Sequence, residues 1–263
     1  MNILDTIIAQ KKKEVEGRKA LVSISELEKG TFFSNKIVSL KSFLLDSQKT
    51  GIIAEYKRKS PSKGIINNEA TVVEVTAAYA TNGASAISVL TDEVFFGGHL
   101  NDLVTARVNQ IPILRKDFMI DAFQVFEAKA FGADIILLIA ACLMPNEVKK
   151  LAVLAKQLGL EVLLEIHNEH ELEHICDEVD FVGVNNRNLK TFEVNIETSL
   201  QLIHKIPTHK LAITESGISN VNTIVTLRSA GFKGFLIGEN FMKAKSPAIA
   251  FADFVQQLKA KKQ

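Results

Sequence analysis

Glu55 and Lys57 stand two residues apart at the end of an apolar run, within the stretch GIIAEYKRKSPSKG that covers 51–64. Alternate side chains of a strand share a face, so Ile53, Glu55 and Lys57 point the same way, and a face that starts apolar finishes in a carboxylate and an amine. On this run alone, a buried ion pair kept for registry reads the same. Four further apolar runs end alike. IPILRKDF ends in Arg115, Lys116 and Asp117, EVLLEIH in Glu165, FVGVNNRNL in Asn185, Asn186 and Arg187, and LAITESG in Thr214, Glu215, Ser216 and Gly217. Amines, carboxylates and amides gathered in one place would donate protons, accept them and hold a polar substrate. Their desolvation is expensive, so the pattern points to a functional rim in a fold that brings strand ends together.

The spacing supplies such a fold. Strands are predicted at 52–56, 86–90, 112–115, 134–139, 161–165, 181–184, 211–214 and 235–237, at intervals of about 20 to 34 residues, which suit a strand, a helix and two short loops. Helical patterns lie between them at 72–82, 122–131, 146–158, 169–177, 221–230 and 247–259, several followed by glycine (Gly83, Gly132, Gly159, Gly231) as a left-handed cap requires. Eight strand–helix units predict a (β/α)8 barrel, with its chemistry at the carboxyl ends of the strands. A doubly wound open sheet is the alternative, but no glycine-rich dinucleotide fingerprint follows the first strand.

Two turns near the end carry a second signal. Glu215-Ser216-Gly217-Ile218-Ser219 and Gly238-Glu239-Asn240 each lead from a strand into a helix, placing small residues and backbone N–H groups side by side. Barrels hold phosphate in this way, and Ser216, Gly217, Gly238 and Glu239 are the expected cradle of a phosphorylated small molecule.

Residues 1–48 form a helical preface with too little apolar material for a core of its own, so the whole chain, 1–263, is expected to be one barrel domain with an N-terminal helical extension. Ile3, Leu4, Ile7 and Ile8 have helical spacing. Ser23 or Ser25 suits a helix cap, and another helix is expected at 40–45. Lys11, Lys12 and Lys13, like the Lys261–Lys262 end, are read as solvated helix faces or ends. The net charge of +1 gives no reason to invoke nucleic acid. No secretory signal is evident and the longest apolar run, 135–144, is too short for a bilayer. A cytoplasmic protein without membrane association is expected, a monomer by default. Cys142 and Cys176 fit a reducing compartment.

Seven phrases taken in order resemble indole-3-glycerol phosphate synthases: AEYKRKSPSKG (54–64), SVLTDEVFFGG (88–98), LRKDFMID (114–121), LLEIHNE (163–169), GVNNRNL (183–189), ESGIS (215–219) and IGENFM (237–242). The resemblance covers essentially the whole chain and implies the monofunctional form of that lyase. Its reaction is cofactor-independent: 1-(2-carboxyphenylamino)-1-deoxy-D-ribulose 5-phosphate closes to an indole ring, losing carbon dioxide and water. By resemblance Lys116 is the general acid of ring closure, while Lys57 and Glu165 divide the acid and base work of dehydration in an order left open. Glu55 orients the lysines, and Asn185 and Arg187 hold the substrate. Phe96 and Phe118 wall its aromatic ring, with Phe192 and Leu137 added, and Ser60 and Lys63 belong to a mobile loop that closes over it. Asp117 is catalytic or structural.

Other readings stay in view. A phosphosugar isomerase would call for a Cys/Asp pair where this chain has Glu55, Lys57 and Asn185. A Schiff-base aldolase would use Lys116 or Lys57 as nucleophile. A non-catalytic phosphate-ligand sensor would have no need of the acid and base residues. No metal is expected: His170 and His174, four apart on one predicted helix, are read as surface polar residues, and His99 carries no catalytic role.

Overall fold

The computed structural model describes residues 3–189 and 191–261. Eight strands alternate with helical segments: β1 (Ile52–Tyr56), β2 (Ala86–Leu90), β3 (Ile113–Lys116), β4 (Ile135–Ile139), β5 (Glu161–Ile166), β6 (Phe181–Asn185), β7 (Leu211–Glu215) and β8 (Gly234–Ile237). All pair in parallel in chain order, and β8 closes the ring on β1 by setting Phe235, Leu236 and Ile237 against Ile52, Ile53 and Ala54. The expected (β/α)8 barrel is therefore the fold. Four strands run one residue past their predicted ends, and in three of them that residue is polar, so Lys116, Asn185 and Glu215 belong to the ladder itself. Their side chains are polar because they project into a cavity, whereas their backbones stay paired.

Among the described residues twelve α-helices accompany the strands. They are α1 (Ile3–Leu21), α2 (Ile24–Leu27), α3 (Leu40–Leu45), α4 (Val72–Thr81), α5 (Glu93–Phe96), α6 (Leu100–Ala106), α7 (Ala122–Ala130), α8 (Pro145–Gln157), α9 (Glu197–Leu202), α10 (Val221–Ala230), α11 (Glu239–Met242) and α12 (Pro247–Ala260). The helix expected at 169–177 is instead a 3-10 segment, Glu169–His174. Glu171 folds back to accept from the His167 backbone N–H and from Asn168 Nδ2, side-chain bonds that compete with an α-helical start. His174 is not a surface residue: it is buried, with Nε2 2.9 Å from the Leu143 carbonyl.

Two apolar layers position the rim. Inside the barrel, Ile53, Leu114, Leu137, Leu163, Phe181, Ile213 and Leu236 pack together, and Leu40 and Leu44 of α3 join them from the amino-terminal end. The opposite strand faces pack against the surrounding helices. Parity then does the sorting. Glu55, Lys116, Glu165 and Glu215 each stand two residues beyond an inward apolar side chain and so point inward, whereas Arg115 and Asp117 turn toward the helix layer.

The N-terminal extension packs its Val15 and Leu27 against Phe123 and Ala130 of α7. Here one expectation is corrected. Lys11 is not solvated: it is fully buried, with its ammonium 2.8 Å from Asp92, 2.8 Å from Glu14 and 2.9 Å from Asp117. Met1, the first residue of the helical preface, and Lys262 of the lysine end lie outside the described residues. Among the described residues no helix is long and apolar enough to cross a membrane.

Candidate active site

At the carboxyl ends of the strands lies a cavity of about 530 Å³. Its floor is a charge cluster. Lys116, on β3, reaches across the barrel to Glu165 of β5 and Glu215 of β7, with Nζ 2.7 Å from an oxygen of each. Glu55 and Lys57 of the first strand and its end form their own pair at 2.8 Å. Asn185 of β6 donates through Nδ2 to Glu165 Oε1 at 3.1 Å. Room for these groups comes partly from Gly183, where an added Cβ would sit 3.0 Å from Glu215 Oε1.

The cluster sets protonation. Burial alone would lower the Lys116 pKa, but the carboxylates of Glu165, Glu215 and Glu55 outweigh it and raise it, so the amine is an ammonium. Burial would raise Glu165, yet Lys116 and His167 hold its carboxyl well below the usual carboxylate range. Glu215 goes the other way: burial, then repulsion by Glu165, pushes it up to about 7 against the pull of Lys116. His167, on the same strand face as Glu165, lies 3.1 Å from it and 3.2 Å from Glu171, and these two carboxylates raise the imidazole to about 10 despite burial.

One side of the cavity is built for small polar contacts. Ser216 and Gly217 take consecutive left-handed conformations, φ 67° and 77°, a tight turn that strains serine but brings backbone toward the cavity. Gly238 stands at the start of α11 beside Glu239, whose carboxylate lies 3.4 Å from Arg187. All five residues line the cavity. The opposite side is apolar. Phe96 and Phe118 stand 6.1 Å apart between ring centroids, tilted by 41°, and Leu137 and, from α1, Ile3, Leu4 and Ile7 also line the cavity, as does Phe192, whose carbonyl accepts from Arg187.

The segment after β1, expected as an irregular polar loop, is a small antiparallel hairpin pairing Lys59–Ser60 with Gly64–Ile65. Arg58 straps its base to Asp102, with a second bond to the Gly97 carbonyl. Ser60 and Lys63 line the cavity, and the buried Ser60 hydroxyl has no hydrogen-bond partner among the described residues.

The structure thus brings Glu55, Lys57, Lys116, Glu165, Asn185, Arg187, Ser60, Phe96, Phe118, Ser216, Gly217, Gly238 and Glu239 around one cavity. Asn186 is turned away, bonded to Thr214 and Ser199. The Asp117 side chain faces Lys11, Arg115 and Thr91, so its place is structural. Three side chains hold places that the sequence reading did not give them. Glu215 was read as part of a polar strand end and of a turn, without the partner that its parity with Ile213 gives it inside the barrel, Lys116. His167 shares the face of Glu165 in the same way. Lys11 lies four residues from both Ile7 and Val15, which marks a lysine on an apolar helix face. Among the described residues no group of three or more His, Cys, Asp or Glu side chains is arranged to hold a metal ion.

A closed eight-stranded parallel barrel with ammonium and carboxylate groups gathered at the carboxyl ends of its strands defines the class: a (β/α)8-barrel enzyme. The family model described as indole-3-glycerol phosphate synthase matches residues 4–254. An indole-3-glycerol phosphate synthase of Bacteroides thetaiotaomicron is 47% identical over 260 residues, 98% of this chain and 99% of that one. That of Polaromonas sp. (strain JS666) is 43% identical over 256 residues, 95% of this chain and 97% of that one. A tryptophan synthase alpha-subunit structure from Pyrococcus furiosus shares the fold, with TM-score 0.62 at 16% identity, covering 81% of this chain and 98% of that one. The chain belongs to the indole-3-glycerol phosphate synthase family and is a carbon–carbon lyase.

Proposed function

We propose that this cavity closes, decarboxylates and dehydrates 1-(2-carboxyphenylamino)-1-deoxy-D-ribulose 5-phosphate to indole-3-glycerol phosphate, with Lys116 as the acid of ring closure. The observation that carries the assignment is the Lys116 ammonium held at 2.7 Å from both Glu165 and Glu215, between an aromatic wall and a pair of small-residue turns. As the aromatic carbon attacks the ketone carbon, charge develops on the ketone oxygen, and a fixed ammonium both stabilises it and delivers a proton. The carboxylate of the benzoate ring then leaves as carbon dioxide and restores the electron pair. Phe96 and Phe118 remove water from that carboxylate, which favours its departure.

Dehydration needs a proton donor at the departing hydroxyl and an acceptor for the proton lost from the ring. Glu165 is kept ionised by Lys116 and His167, which makes it the acceptor. Lys57, oriented by Glu55 at 2.8 Å, is the donor. Asn185 and Arg187 hold the substrate's hydroxyls and carboxylate. The phosphate lies against Ser216, Gly217, Gly238 and the backbone of Glu239, while the Glu239 carboxylate is drawn aside by Arg187. Ser60 supplies its unpartnered hydroxyl from the hairpin. A monomer in the cytoplasm is the accompanying proposal, and the two free cysteines, Cys142 and Cys176, support the reducing compartment.

The direct test is growth of indole fluorescence with carbon dioxide release when the protein meets this substrate, against a small background because the chain has no Trp. A flat trace from folded protein that still binds the substrate would overturn the lyase reading. Borohydride trapping of a substrate adduct would move the aldolase chemistry ahead.

A further inference from the structure

Resting on that reading, we propose that Lys11 is a positioning residue for the reaction: from α1 it ties together the two loops that carry Phe96 and Phe118 and sets the width of the slot that receives the aromatic ring. Its ammonium lies 2.8 Å from Asp92 and 2.9 Å from Asp117. Asp92 is the cap of α5, its Oδ1 accepting from the Phe95 N–H at 2.8 Å, so it fixes the short helix that ends in Phe96. Asp117 accepts from the Phe118 N–H at 2.8 Å. One buried cation therefore holds the anchor of each ring wall.

The placement is not what helix packing alone requires. Ile7 and Val15 flank Lys11 on the same face and are buried as apolar residues, whereas a buried ammonium carries a desolvation cost that packing does not demand. The same helix adds Ile3, Leu4 and Ile7 to the cavity wall, so α1 is continuous with the slot that Lys11 braces. Lys116 has its own partners in Glu165 and Glu215, and Arg115 also binds Asp117, at 2.9 Å. Loss of Lys11 should therefore loosen the ring slot more than it disturbs the acid. The substrate's phosphate end, across the cavity, lies beyond its reach.

The test compares Lys11→Met with Arg18→Met. Arg18 also joins α1 to the barrel, at 3.1 Å from Glu127, but touches neither loop. Steady-state KM and kcat are measured with inhibition by 2-(methylamino)benzoate, a ring fragment, and by inorganic phosphate. For Lys11→Met the expected result is about a tenfold rise in KM and in the ring-fragment inhibition constant, phosphate inhibition within about twofold of the parent, and a smaller loss in kcat. Arg18→Met lowers the melting temperature and leaves all four constants near the parent values.

If Lys11→Met does not fold, the double variant Lys11→Met/Asp92→Asn neutralises both charges and keeps an amide oxygen to cap α5, and the same selective loss is expected of it. An unchanged ring-fragment constant in the folded variant, or an equal loss in Arg18→Met, overturns the role of Lys11. Absence of turnover in the parent protein would overturn the underlying reading instead, so the two failures are told apart.

Discussion

The Lys116 ammonium touches the Glu215 carboxylate at 2.7 Å, yet burial, and then repulsion by Glu165, which shares the same cation, push Glu215 up to about 7. Folding therefore raises the Glu215 pKa from its ordinary 4.5 to about 7. Between those values the unfolded chain has released a proton that the folded protein keeps, and stability falls as pH rises across the window. Glu215→Gln should flatten that slope of melting temperature against pH between 4.5 and 7. An unchanged slope would place the titrating proton elsewhere.

Replacing Lys116 with Ala removes the proton donor and leaves Glu165 and Glu215 facing each other. The expected result is a loss of about 10²- to 10⁴-fold in kcat, the range that positioned acid–base groups contribute. The fold should survive, because the two carboxylates can share a proton once the cation is gone. Glu165→Ala should be similarly inactive. Steady-state kinetics beside circular dichroism checks both, and near-normal turnover in either variant would remove its residue from the role assigned to it.

Much of this was legible from alternation. Strand rhythm predicted the barrel, and the polar residue after each apolar run predicted its rim, since a ladder that enters a cavity keeps its backbone pairs while its side chains change character. Lys11 was not legible as charge, because three consecutive lysines suggest a solvated face, whereas only Lys11 falls on the line of Ile7 and Val15. The 3-10 segment at Glu169–His174 was read as a helix because its composition suits one. What decides against it is Glu171 bonding back to His167 and Asn168, a tertiary choice among side chains that periodicity does not encode.

His167 offers a second titration. Its imidazole, between Glu165 and Glu171, is held protonated up to about 10 against an ordinary 6.5. Across that interval the folded protein retains a proton that the unfolded chain has lost, so the His167 contribution is complete below 6.5 and disappears as pH rises through about 10. His167→Gln should lower stability at pH 7 more than at pH 10, the pH range over which the native ion pair fades. Thermal melts of parent and variant across that range measure it, and a difference independent of pH would mean the ring acts by packing alone.

Gly238 gives the sharpest test of space in the site. Its φ of −124° suits any residue, so backbone freedom is not why glycine stands there. A Cβ at this position would lie 2.5 Å from Glu55 Oε1 and 2.9 Å from Glu55 Cβ, and the second contact cannot be relieved by swinging the carboxylate end alone. Gly238→Ala must therefore displace the Glu55 side chain, and with it the Lys57 amine paired at 2.8 Å. Overpacking of this kind costs about 1–3 kcal/mol. The kinetic loss should be larger in proportion, at least about tenfold in kcat/KM, because the group displaced orients the proton donor. Gly159→Ala is the matched control: its φ of 76° strains alanine, but nothing lies within 4 Å of the added carbon. That variant should lose about 1 kcal/mol or more of stability through its backbone and keep the parent kinetics. If Gly238→Ala turns over like Gly159→Ala, the close approach of Glu55 to β8 has no part in placing Lys57.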